Sequence, residues 1–197
     1  MIGFNIAGYI IFALVTSITP GPNNIMLFAY GKQFGYVDSN KLMLGIASGF
    51  LVLLSIAGYG IAGIILQNPT IGFVLKIISS LWLFYLAIVL SNLNADLSTE
   101  SVAKAGFYQG FLMQFINPKA WIMAISGASA FLPHNINIHI SVLLFALIFV
   151  VVGFPCILCW VGFGDLISKI LKTPNAHRIL GVIIFILMLL SIIMIWI

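Results

Sequence analysis

At 197 residues the chain is 62% hydrophobic and only 6% charged, whereas a soluble domain carries about a quarter charged residues. Such a chain cannot clothe a globule in polar surface. It needs lipid as solvent, and its length allows about six spans of roughly 20 residues with no room for a further soluble domain. The net charge of +4 sets eight basic residues against four acidic ones, and the basic residues lie mostly between apolar runs. They form no basic or aromatic–basic face, which excludes a nucleic-acid footprint and leaves them as topology signals.

Six apolar segments follow, at about 4–30, 41–66, 70–92, 106–132, 138–163 and 178–197. None has the alternation of barrel strands, so an all-α integral membrane protein with six helices in one transmembrane domain is predicted. The first segment has no preceding Lys or Arg and no small-residue cleavage site, and reads as a span, not a signal peptide. Inside it lies Thr19-Pro20-Gly21-Pro22-Asn23-Asn24. A helical proline removes one backbone hydrogen bond and clashes with the preceding turn. Two prolines around a glycine therefore predict a broken helix. Carbonyls around Thr16 to Thr19 should be released. Asn23 and Asn24 are expected to cap a second half-helix, whose N–H groups suit a carboxylate while the freed carbonyls suit an ammonium. The competing reading is a kink that only shapes the helix.

The stretch 31–41 is predicted to be the first loop, and Gln67-Asn68-Pro69-Thr70 a tight turn. Gly58-Tyr59-Gly60-Ile61-Ala62-Gly63 matches G-x-G-x-x-G, but no strand precedes it, so it is not a dinucleotide site. A polar connector, Asn92 to Lys104 with Asp96 and Glu100, separates two halves of about 1–92 and 106–197. In the fourth segment Asn117-Pro118-Lys119 repeats the break, with Gln114 one turn earlier on the same face. Lys119 lies about 13 residues in, roughly 20 Å by helical rise. A charge there costs ~2.5–3.5 kcal/mol and should face a wet cavity, a substrate anion or Asn/Gln dipoles. It could itself titrate. A lysine nearer the interface, because the span is broken, is the alternative.

His134 and His139 match no zinc helix motif and read as surface residues. Cys156 and Cys159 form a mid-span C-x-x-C without a βαβ context, which reads as two packing or membrane-facing thiols. The four tryptophans read as packing or interfacial anchors. Asp38 and Asp165 end spans; Asp165 is spaced to pair with Lys169, and a gating role is the alternative for both acids. No nucleophile motif or carboxylate pair occurs, so no enzyme activity, cofactor or metal is expected. Gly31/Gly35, Gly45/Gly49 and Gly106/Gly110 predict close helix contacts, within the chain or across a homodimer.

Lys32, Lys41, Lys104, Lys169, Lys172 and Arg178 fall on odd-numbered loops, against Lys76 alone on the other side. That places the odd loops in the cytoplasm and both termini outside. An offset of about 98 maps spans one to three onto four to six. Three is odd, so the halves are inverted-topology repeats, which place a substrate near the midplane at their interface.

The Pro20-Gly21-Pro22-Asn23 and Asn117-Pro118-Lys119 motifs, with Gly106/Gly110 and Arg178 followed by Gly181, resemble the LysE/RhtB family of amino-acid exporters over essentially the whole chain. The resemblance implies an inner-membrane exporter of amino acids or small derivatives, driven by the proton gradient. Family substrates range from basic to neutral and sulfur-containing amino acids and homoserine compounds. Lys119 would repel a cationic side chain beside it, which favours a neutral, homoserine- or threonine-like substrate. The substrate site is predicted at Pro20, Gly21, Pro22, Asn23, Asn24, Gln114, Asn117, Pro118 and Lys119. An exporter of a cation or another small solute is the alternative, weakened by the shortage of Asp, Glu and His in the spans.

Overall fold

A computed structural model describes residues 5–61, 69–91, 105–170 and 173–196. Among these all regular structure is α-helical: α1 Ile6–Ile18, α2 Pro22–Asp38, α3 Asn40–Gly58, α4 Pro69–Ser91, α5 Phe107–Ile116, α6 Pro118–Phe131, α7 Ile138–Ile170 and α8 Pro174–Trp196. They fall on the six predicted apolar segments, with the first and fourth each divided in two. The Gln67-Asn68 turn, the 92–104 connector and Lys172 lie outside the described residues.

Asn5 starts α1, its Oδ1 accepting from the Gly8 N–H at 2.9 Å. Thr19 ends it in an extended conformation, as the residue before a proline prefers. Pro22 restarts the chain at the first helical position, where its missing N–H is not needed. The two pieces are bent by 55°. The break at Asn117 follows the same rule: Asn117 is extended and Pro118 opens α6. Pro155, by contrast, sits inside α7 without interrupting it.

Two boundaries depart from expectation. The predicted loop at 31–41 is helix to Asp38, kinked at Gly35 (φ 77°), and only Ser39 separates it from α3. The cause is tertiary. A Cβ on Gly31 would strike the Val161 carbonyl, and one on Gly164 would strike the Phe28 carbonyl, so α2 and α7 cross at backbone contact and hold the polar segment helical. For the same reason α7 runs seven residues past its predicted end. Gly45, Gly49 and Gly110 likewise seat α3 against α5. These glycines pack within the chain.

Two apolar clusters flank the breaks. Tyr9, Leu53, Trp121, Phe145 and Phe149 join α1, α3, α6 and α7 on one side; Leu27, Met43, Leu83, Met113 and Met188 join α2, α3, α4, α5 and α8 on the other. Tyr9 anchors the first through its hydroxyl, which donates to the Phe145 carbonyl at 2.7 Å. Many large apolar side chains, such as Leu81, Leu112, Val151 and Ile179, stay exposed, as a lipid-facing surface requires. Among the described residues Asn40–Gly58 and Ile138–Ile170 are each long and apolar enough to cross a membrane, and the bent α1–α2 pair makes a third.

Candidate functional site

The first break strips α1 of continuing hydrogen bonds, and each freed carbonyl finds a donor from elsewhere. Asn24 Nδ2 donates to Ser17 O at 2.7 Å and to Thr19 O at 2.8 Å. Trp160 Nε1, on α7, donates to Ile18 O at 3.2 Å. The Lys119 ammonium, from the other half of the chain, donates to Thr19 O at 2.8 Å, Thr19 Oγ1 at 2.9 Å and Pro20 O at 3.2 Å. Thr19 Oγ1 donates in turn to Thr16 O at 3.0 Å. Lys119 thus caps the negative pole of α1.

The expected capping by Asn23 and Asn24 does not occur. The N-cap of α2 is Gly21, with no side-chain bond, and the two asparagines are helical. Pro22 fixes the first helical position, so Asn24 reaches back to α1 while Asn23 points across to Gln114. The Asn23 Nδ2 donates to Gln114 Oε1 at 2.7 Å, and the fully buried Gln114 also donates to Gly110 O at 3.0 Å. Gly21 leaves the α2 terminus without a side-chain cap. It also makes room for the lysine: a Cβ there would lie 2.8 Å from Lys119 Cδ.

The second break is tighter. Asn117 Oδ1 accepts from the Lys119 N–H at 3.1 Å and caps α6. Trp121 Nε1 donates to Phe115 O at 2.8 Å, and Ser79 Oγ on α4 donates to Ile116 O.

Between the breaks lies a cavity offering about 60 Å³ to the centres of water-sized spheres, room for roughly four waters or a small solute. Gly21, Asn23, Asn24, Gln114, Asn117 and Lys119 line it; Pro20, Pro22 and Pro118 shape the breaks without lining it. Thr16 and Ser17, named from the sequence for their released carbonyls, also line it; the apolar walls from Phe50, Phe149 and Phe154 were not singled out. The aromatic walls carry no signal in runs that are apolar throughout. Among the described residues no acidic or histidine side chain lines the cavity, so these residues combine one cation and a helix N-terminus with carbonyl, hydroxyl and amide oxygens. Such a set can hold a zwitterion by both ends.

Other candidates lie elsewhere. Asp165 pairs with Lys169 at 2.7 Å, as its spacing predicts, away from the cavity. Cys156 is buried and Cys159 exposed, both as free thiols. His139 Nδ1 pairs with the Tyr59 hydroxyl at 2.9 Å. No group of three or more His, Cys, Asp or Glu able to hold a metal occurs among the described residues.

A family model described as LysE type translocator matches residues 14–193. The chain is similar to a cysteine/O-acetylserine efflux protein of Klebsiella pneumoniae, at 24% identity over 84% of each chain. A protein of the same name from Salmonella choleraesuis is 29% identical over 80% of this chain and 81% of its own. One from Escherichia coli O1:K1 is 23% identical over 82% and 83%. No solved structure matches significantly.

Proposed function

This chain belongs to the LysE type translocator family, and from that premise we propose that it exports small neutral amino acids, of the size of cysteine or O-acetylserine, across the cytoplasmic membrane. A translocator family makes it a membrane transporter and not an enzyme. The observation that carries the reading is the meeting of two broken helices at one cavity, with Lys119 of one lying on the freed carbonyls of the other. The carboxylate of an amino acid is held by Lys119 and the α2 N-terminus. Its ammonium is held by carbonyl and amide oxygens, and its side chain rests on the Phe50 and Phe149 wall. Among the described residues no acidic side chain lines the cavity, so none of them pairs with a second positive charge on the substrate.

The helices act as six spans in two inverted repeats. Their packing supports this: α2 and α1 lie on α7 as α6 and α5 lie on α3, while α4 pairs with α8. Pro20 and Pro118 stand at equivalent places, 98 positions apart. Lys32, Lys41, Lys169 and Arg178, near the helix ends that flank the odd connections, support a cytoplasmic side for those connections. Alternating access, driven by the proton gradient, carries the solute outward.

The test is efflux from intact cells expressing the chain, scanning amino acids accumulating in the medium against an Asn117→Ala control. Selective, Asn117-dependent efflux of a small neutral amino acid is expected. A folded, well-expressed protein that exports none would sink the assignment.

A further inference from the structure

The Lys119 ammonium sits where an ammonium ligand would sit. Thr19 O, Thr19 Oγ1 and Pro20 O converge on it at 2.8, 2.9 and 3.2 Å, three oxygens matching the three N–H donors of an –NH₃⁺ group. Half-helix carbonyl ends of this kind are where transporters hold cations. Here the cation is tethered, and Gly21 leaves the space its stem needs. Among the described residues no acidic side chain lines the cavity to neutralise it.

We infer that these three oxygens are a cation subsite, held by Lys119 when no solute is present, and that the α-ammonium of the exported amino acid displaces Lys119 from it. The inference rests on the amino-acid export reading and deepens it. The exchange is balanced: one primary ammonium replaces another on the same acceptors. The displaced lysine then stands beside the carboxylate of the same molecule, so a charge held only by dipoles becomes half of an ion pair. A compound lacking the free amine cannot evict Lys119 and finds the subsite occupied.

Lys119→Ala removes the Cγ–Nζ segment, which has the shape of n-propylammonium. Thermal unfolding of the purified variant in detergent is followed with n-propylammonium or with 1-propanol, its neutral analogue. We expect n-propylammonium to raise the Tm of Lys119→Ala by about 2–4 °C and 1-propanol to do nothing. The unmodified protein and Lys119→Met, whose side chains fill the space, should not respond. Equal effects of the two additives on Lys119→Ala, or equal shifts in all three proteins, would overturn the subsite. If Lys119→Ala is too weak to purify, the yield of monodisperse protein solubilised with each additive replaces Tm, with the same two outcomes. In parallel, export of O-acetyl-L-serine is compared with that of its isomer N-acetyl-L-serine, which has no free amine. Rescue by n-propylammonium without export of either isomer keeps the subsite and sinks the exporter reading. Equal export of both isomers, with n-propylammonium inert, keeps the exporter reading and sinks the subsite.

Discussion

Both breaks borrow side-chain donors for the carbonyls they free, but they differ in extent and in how the next helix starts. The break at Thr19–Gly21 leaves three residues outside either helix and borrows its donors from α2, α6 and α7. The break at Asn117 leaves a single residue, whose own side chain caps the next helix. The first is therefore a rim of carbonyls covered by borrowed donors, Lys119 among them. The second is a rigid mount that aims Lys119 across the cavity. Pro155 sharpens the contrast, since a proline alone, within α7, breaks nothing. The extra elements are Gly21 with a second proline in one case and a capping asparagine in the other.

Lys119→Met should have the largest effect, because it unties the breaks from each other. Hydrogen bonds from a charged donor are worth about 1.5–3 kcal/mol, so export measured from intact cells should fall about tenfold to a hundredfold. Near-normal export would mean that the breaks work independently. Next comes Asn24→Ala, which deprives the Ser17 and Thr19 carbonyls of a donor and should cost about 1–3 kcal/mol, read as a lowered Tm in detergent. In stability Asn117→Ala loses a cap, about 0.5–2 kcal/mol read as Tm, and Asn117→Ser should recover most of it. If the asparagine losses ranked the other way, the borrowed-donor account of the first break would be wrong. The smallest effect is expected between Asn23 and Gln114. A double-mutant cycle with Asn23→Ala and Gln114→Ala should return a coupling of about 0.5–1.5 kcal/mol; additive losses would remove this bridge between the halves.

Both breaks were legible in the sequence because proline chemistry is local: it fixes the preceding residue as extended and the following one as a helix start. The partners of the breaks were not legible. Asn24 has the residue type of a cap, but its task depends on α1 folding back at 55°, which no short window contains. Lys119 meets Thr19 at a separation of 100 residues. The helix over 31–38 was hidden by its polar content, because its stability comes from Gly31 and Gly164 meeting the backbone across α2 and α7. The Asp165–Lys169 pair was visible because both ends lie one turn apart on one helix.

The reach of Lys119 to α1 also bears on the order in which the chain is made. The first half leaves the ribosome first, and Asn24 already serves two of its freed carbonyls. On the proposed six-span arrangement, the second half that follows carries a lysine into hydrocarbon at ~2.5–3.5 kcal/mol. The waiting end of α1 offers that charge a docking place. The halves should thus differ in biogenesis: residues 1–92 expressed alone should insert, whereas residues 92–197 alone should insert their first span poorly and recover when the first half is co-expressed. Equal insertion of span four with and without that partner, scored by glycosylation mapping, would show that the lysine needs no such reception.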